Sequence, residues 1–433
     1  MSEANRTTEP QLEDELGRMF AGDVSVTSNP YPLYERLRAQ GPVYWYNGTL
    51  PCVTTHAGSV QVFRDAESFH AFRGRERFDY DNLTPELQDC VDEIVAFEHL
   101  QMSEMNGESH RRVRAAAQRA FPRKRMMEVA EYVQQATDAL FDRYLEDGRM
   151  DFMELALRLP VLAIVELMGT PREDVDLLKS WGDDIAATKA FYGGGFAPET
   201  IIRSRDALIS LKQYVNDLVE TKRGGVNTQM FTALLDATEK DRLTPEELAA
   251  TIALFLYAAH ETTSNMLGLG LYHLLSHRDR WEKLKNNPTL VSSTIEETLR
   301  FTPPVQLMSR MAVADKEVGG HLIPAGTKTM IMIGSANRDS QAFADPNVFD
   351  LERNPTDHLG FGHGVHVCIG NILARVEGKV VFDTLLKRFD DVALTVDPDS
   401  LEWNAHSVFA GILSLPIEIT NDRSALKVKE ASA

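Results

Sequence analysis

Cys368 stands in the run FGHGVHVCIGN, Phe361–Asn371, where three glycines and two histidines crowd one sulfur. Gly362, Gly364 and Gly370 permit a tight loop whose amides face that sulfur. The stretch ILARVEGKVVFDTLLKRF just beyond has a helical pattern. Backbone donors and a helix N-terminus both favour a thiolate over a thiol. Such a thiolate is either a nucleophile or a metal ligand. A nucleophile needs a base, and His366, two residues away, shares a face with Cys368 if the stretch is extended. Spacing alone leaves both chemistries open.

A second polar cluster, AAHETTSN, Ala258–Asn265, follows the apolar run AATIALFLYAA. A carboxylate and two hydroxyls inside an apolar helix are costly unless hydrogen-bonded or used. Thr262 and Thr263 are expected to bond back to carbonyls one turn earlier, which opens the helix into a polar notch. A third cluster, EETLR, sets Glu297 three residues before Arg300, a spacing typical of ordinary helix ion pairs and structural when taken alone.

These groups need rigid carriers. Thr244-Pro245-Glu246-Glu247 supplies an N-cap, a proline at the first helical position and a capping box. The apolar pattern then runs to about Leu275, predicting a helix roughly 45 Å long through the core. Strand-like alternation around Asn47-Gly48, in Pro42–Thr55, predicts a hairpin. The stretch Val305–Ile333, with its Gly-Gly and Pro-Ala-Gly punctuation, predicts further strands. Nearly everything else has helical periodicity. AFYGGGFAP, Ala190–Pro198, breaks it, as a surface loop or a lid.

No internal repeat or long linker divides the 433 residues, which favours one folded unit. Residues 1–25 are expected to be an acidic flexible tail, 26–424 the folded domain and 425–433 a C-terminal tail. Three scattered cysteines form no disulfide framework or zinc ribbon and suit a reducing cytoplasm. A net charge of −19 repels a phosphate backbone and excludes nucleic acid as a general partner. The N-terminus lacks the apolar core of a signal peptide, and the longest apolar run is too short for a bilayer, so a soluble protein without membrane contacts is expected.

Together these motifs resemble a bacterial soluble cytochrome P450, a haem-thiolate monooxygenase. The likeness extends from NPYPLYERLRAQGPV, Asn29–Val43, to ILSLPIEI near the end, and FGHGVHVCIG is its most specific block. The resemblance implies a mainly α fold with small β-sheets, one large helical domain around a buried haem with a long central helix. It implies haem b as cofactor and O2 as co-substrate. One oxygen atom would enter a small or medium-sized organic substrate by hydroxylation, dealkylation, epoxidation or coupling, in secondary or catabolic metabolism. Electrons would come from a separate ferredoxin or flavodoxin and its NAD(P)H reductase.

By the same resemblance Cys368 is the iron ligand, a thiolate that favours O–O cleavage, and Phe361, Gly362 and Gly370 shape its loop. His110, Arg114, Arg310 and His366 would face the haem propionates. Ala258 and Ala259 would line an oxygen groove; the second is more often glycine in the family. Glu261 and Thr262 would handle oxygen and its protons, and Glu297, Arg300 and Arg353 would form a structural network. Leu254, Val305 and Phe409 would line the substrate pocket, with 190–198 as part of a lid. Seven cations between Arg111 and Arg125 would attract an acidic ferredoxin. A peroxide-driven peroxygenase, a haem-based sensor without turnover and a haem-free cysteine hydrolase are the competing readings.

Overall fold

The computed structural model describes residues 10–72, 74–120, 123–188, 195–222 and 243–422. Its longest element is the central helix, Pro245–Leu275, 31 residues and therefore about 46 Å. The expected start is in place: Thr244 Oγ1 accepts from the Glu247 amide at 3.2 Å, and Glu247 accepts from the Thr244 amide at 3.0 Å. The helix is buried along most of its length because apolar side chains occupy nearly every face.

Two other helices grip it. Phe152–Met168 starts at the Asp151 cap, packs along it and stops at Gly169, whose φ is +67°. The helix Asn371–Arg388 crosses it near Gly270, where a Cβ would stand 2.8 Å from the Phe382 ring. Only a residue without a side chain lets these two helices approach so closely. The helix Val291–Phe301, which carries Glu297 and Arg300, packs on both. This layered helical body matches the mainly α expectation.

Strands make the smaller part. Val43–Tyr46 (β1) and Leu50–Val53 (β2) form the predicted hairpin, with left-handed Asn47 and Gly48 at its turn. Phe69–His70 (β3), Arg149–Asp151 (β4), Leu307–Ala312 (β5), Lys316–Val318 (β6), His321–Ile323 (β7), Lys328–Met332 (β8), Phe389–Leu394 (β9) and Pro416–Asp422 (β10) follow. The largest sheet has the order β1-β2-β8-β5-β3; β4-β10-β9 and β6-β7 are separate. Strand β5 pairs Arg310 with Thr329 of β8, and this sheet delivers Arg310 to the molecule's centre.

One expectation needs correction. The supposed flexible tail contains a helix, Pro10–Phe20, whose Leu12, Leu16, Met19 and Phe20 are buried. They join a second core with Tyr34, Leu307 and Met330. Acidic residues dominate the composition of this segment, but its apolar residues recur at helical spacing and fall on one stripe. Residues 1–9 and 425–433 lie outside the described residues. Among those described, no helix is long and apolar enough to cross a membrane.

Candidate active site

The cysteine loop folds back on itself before the helix Asn371–Arg388. The Cys368 amide donates to the Phe361 carbonyl at 2.9 Å, and the Gly362 amide to that of Leu359 at 2.8 Å. Gly364 has φ +73°, and a Cβ there would stand 2.3 Å from the Phe63 carbonyl oxygen. The loop is thereby pressed against the helix His56–Arg64, an approach open only to glycine. Asn371 donates its side-chain amide to the Cys368 carbonyl at 2.5 Å. Burial pushes the Cys368 thiol up, while the Gly370 and Asn371 amides and the Arg114 and Arg375 guanidinium groups favour the thiolate.

Cys368 is partly exposed, and it opens onto a cavity of about 310 Å³. Phe361, Gly362, His366 and Gly370 join it on the wall, as do Arg114 and Arg310. Arg114 donates to the Val367 carbonyl at 2.6 Å. Arg310 is buried, donates to the Ser309 carbonyl at 2.8 Å and has no carboxylate partner among the described residues. The His110 and His366 rings lie 4.1 Å apart, and His110 Nε2, buried, has no hydrogen-bond partner among the described residues. Burial, then the crowding of like charges, lowers His110 to about 4 and His366 to about 3; burial takes Arg310 to about 10. Arg114, Arg310 and His366 on the wall of one apolar cavity, with His110 beside His366, suit a flat ligand carrying carboxylates at its edge, so these residues fit a haem.

The opposite wall is the central helix. Leu254, Phe255, Ala258, Ala259, Thr262 and Thr263 face the cavity, with Met102, Ile164, Val305 and Met308 from other elements. Thr262 Oγ1 donates to the Ala258 carbonyl at 2.8 Å, and Ser264 Oγ to that of His260 at 2.8 Å. The first is the back-bond expected for Thr262; the second moves the expected partner from Thr263 to Ser264. Glu261 differs from its expectation. It is not on the cavity wall, because one residue is about 100° of helix rotation. It lies toward His260 and Asp183, and burial raises its carboxyl above the ordinary range. His260 is itself fixed, by the Leu157 carbonyl at 3.0 Å and Asp183 at 3.4 Å.

Phe409 is a second difference. It pairs by a β-bridge with Val305 and packs on the N-terminal core, and it is not on the cavity wall where Val305 lies. The 190–194 part of the suspected lid lies outside the described residues, while Phe196 rests on Phe78 with ring centroids 5.2 Å apart. Three cations of the basic run have partners among the described residues. Arg111 pairs with Glu108, Arg112 with buried Glu247, and Arg114 turns into the cavity. The side chains of Arg123, Lys124 and Arg125 lie outside the described residues.

Behind the cysteine loop, Glu297 and Arg300 form a bidentate pair at 2.7 Å for each bond, both side chains fully buried. Arg353 reaches the same carboxylate at 3.2 Å. Arg300 also donates to the carbonyls of Asn337, Pro346 and Val348, tying the helix to the segment that leads into the loop. Sequence reasoning missed Glu377, a buried carboxyl on the cavity wall. Its signal was present: 370, 373, 374 and 377 follow the helical face that begins beside Cys368.

A glycine-shaped cysteine loop, a set of basic groups and a helix with a back-bonded threonine across one cavity define the site of a haem-thiolate oxidoreductase. The family model for cytochrome P450 matches residues 196–413. Cytochrome P450 monooxygenase PikC of Streptomyces venezuelae is 34% identical over 418 residues, 95% of this chain and 94% of that protein. The biotin biosynthesis cytochrome P450 of Bacillus subtilis is 31% identical, covering 88% and 93%. Among solved structures, P450BioI with an acyl carrier protein ligated to hexadec-9Z-enoic acid has a TM-score of 0.81 at 28% identity, covering 91% of this chain and all of that one. CalO2 has a TM-score of 0.83 at 27% identity, covering 92% and 98%. The chain belongs to the cytochrome P450 family. It is an oxygenating oxidoreductase that uses haem, O2, an organic substrate and a redox partner.

Proposed function

We propose that this chain binds haem b through Cys368 and monooxygenates a neutral, mainly apolar organic substrate of small to medium size, with electrons from a separate ferredoxin or flavodoxin and its NAD(P)H reductase. The observation that carries this reading is the shared cavity of Cys368, Arg114, Arg310 and His366, with His110 stacked beside His366. When bound, the haem supplies O2 activation and oxygen transfer, chemistry that no side chain here performs.

The residues divide the remaining work. Arg114, Arg310, His110 and His366 hold the two propionates, and the carboxylates in turn favour protonated imidazoles. Gly370 and Asn371 direct amides at the sulfur, which favours its thiolate against the effect of burial. Leu254, Val305 and Met308 exclude water and position an apolar carbon. Thr262 turns its hydroxyl from the Ala258 carbonyl toward the cavity and passes protons there, while Glu261, off the wall, takes part through His260 and intervening water. The relatives' printed roles range from polyketide to biotin biosynthesis and supply no single substrate.

The test is the reduced, carbon monoxide difference spectrum of the purified protein. A strongly red-shifted Soret band, lost in Cys368→Ala, is expected. A protein that takes up no haem on reconstitution, or a band that survives that substitution, overturns the reading.

A further inference from the structure

A second cleft, of about 820 Å³, lies between the N-terminal segment and the C-terminal end of the central helix, with no residue of the cysteine loop on its wall. Tyr31, Tyr272, Phe301 and Trp403 make that wall aromatic, and among them stands a cation, Arg338, only 6% exposed. The Tyr31 and Phe301 rings are stacked 6.5 Å apart, and the guanidinium lies between them, 3.8 Å and 3.3 Å from their centroids. The rings cover its two faces and leave its edge to acceptors. Nε donates to the Phe301 carbonyl at 2.9 Å and Nη1 to the Asn347 side chain at 3.2 Å; neither acceptor is an anion. Arg338 has no carboxylate partner among the described residues. Glu297, whose charge reaches it through space, is held by Arg300 and Arg353. Burial lowers Arg338 to about 10, so it is still charged at neutral pH. A buried charge without a counter-ion is costly, and a carboxylate at its edge offsets that cost. Asp399 and Glu402 also line the cleft, but they are exposed and screened by water.

This cleft shares a wall with the haem cavity. Within residues 301–308, Phe301, Thr302 and Gln306 line the cleft, whereas Pro304, Val305 and Met308 line the cavity of Cys368. Ala410, also on the cleft, donates its amide to the Pro304 carbonyl at 2.9 Å. We propose that the cleft is a second binding site, for an aromatic carboxylate, whose occupancy changes ligand affinity in the haem cavity through this shared segment. The anion pairs with Arg338, and the ring lies among Tyr31, Tyr272 and Trp403.

The test titrates the haem-loaded protein with 2-naphthoate by calorimetry. Saturable binding without a Soret shift is expected, and at least about tenfold weaker binding of 2-naphthamide, which keeps the shape and loses the charge. Arg338→Gln should bring 2-naphthoate down to the amide's affinity. Leu413→Glu sets a like charge at an exposed position of the cleft, outside the core, and should weaken 2-naphthoate severalfold. Imidazole, followed by its Soret shift, reports the other side of the wall. Saturating 2-naphthoate should change imidazole affinity about fivefold or more, and imidazole should change 2-naphthoate affinity by the same factor. Only this coupling rests on the haem-thiolate reading; loss of the Cys368-dependent carbon monoxide band sinks that reading and not the site, which calorimetry reads independently. Equal affinity for the two probes overturns the site, as does 2-naphthoate binding that survives both substitutions or that shifts the Soret band by itself. Imidazole affinity unchanged by 2-naphthoate overturns the coupling.

Discussion

Replacing Glu297 by glutamine keeps the shape of the buried network and removes its only negative charge. Arg300 then sits at 0% exposure with three backbone carbonyls but no counter-ion, and the new amide NH2 points at one of its donors. Breaking one side of a buried pair typically costs about 3–5 kcal/mol, because the surviving charge stays desolvated. For a chain of this size, with a urea m-value of about 3 kcal/mol/M, the unfolding midpoint of the haem-loaded protein should fall by about 1 M or more. Glu297→Leu with Arg300→Met removes both charges and should recover a large part of that loss, giving a coupling of about 1–3 kcal/mol in the double-mutant cycle. Tryptophan fluorescence and Soret absorbance report the same transition. A single-variant loss under about 1 kcal/mol, or strictly additive losses, would refute the argument that charge compensation is what Glu297 contributes.

Other outcomes follow from the same geometry. Arg310→Met should release haem to an acceptor protein at least about tenfold faster, since one charge-assisted contact is worth about 1.5–3 kcal/mol; equal rates would remove Arg310 from the propionate set. Thr262→Ala should divert reducing equivalents from product to peroxide severalfold with haem binding intact, and unchanged coupling would reassign the hydroxyl to a purely helical role. Ala258→Phe should exclude 4-phenylimidazole while still admitting imidazole, read from their Soret shifts; equal binding would place Ala258 away from the ligand path. Glu296 is opposed by burial, but hydrogen bonds from Arg375 and His358 outweigh it and lower its pKa to about 2, against an unfolded value near 4.5. A depressed carboxyl stabilises the fold above the unfolded pKa and loses that contribution as pH falls toward 2. Glu296→Gln should therefore cost about 2–3 kcal/mol at pH 7 and almost nothing near pH 2, by chemical denaturation at each pH; a pH-independent cost would contradict the linkage.

Local chemistry made much of the scaffold legible. The capping box at Thr244 and Glu247 is a contact over three residues, and the Asn47-Gly48 turn needs only its own backbone. The cysteine loop was readable for the same reason, because glycines at fixed offsets state where the chain must turn. Glu261 shows the other case. Its type and neighbours are plain in the sequence, yet which way it points depends on the rotation of a helix clamped between two others. Phe409 was placed by order along the chain, whereas its bridge to Val305 is a pairing across a hundred residues. The ion pair between Arg112 and Glu247 spans a similar distance, and nothing local marks either residue as paired. In the Pro10–Phe20 segment, net composition masked a stripe that periodicity alone would have revealed.

The tight crossing at Gly270 has a consequence for how this enzyme can diversify. Phe382 pressed on that backbone packs the central helix tightly against the helix that follows Cys368. The distance between the sulfur and the hydroxyl of Thr262 is thus a fixed gauge of the molecule, not a variable one. New substrates are then accommodated from the far side, by the segments carrying Met102, Val305 and Met308, which do not take part in that crossing. Chemistry and selectivity are then inherited through separate parts of the chain, so a lineage can change what it oxidises without retuning how.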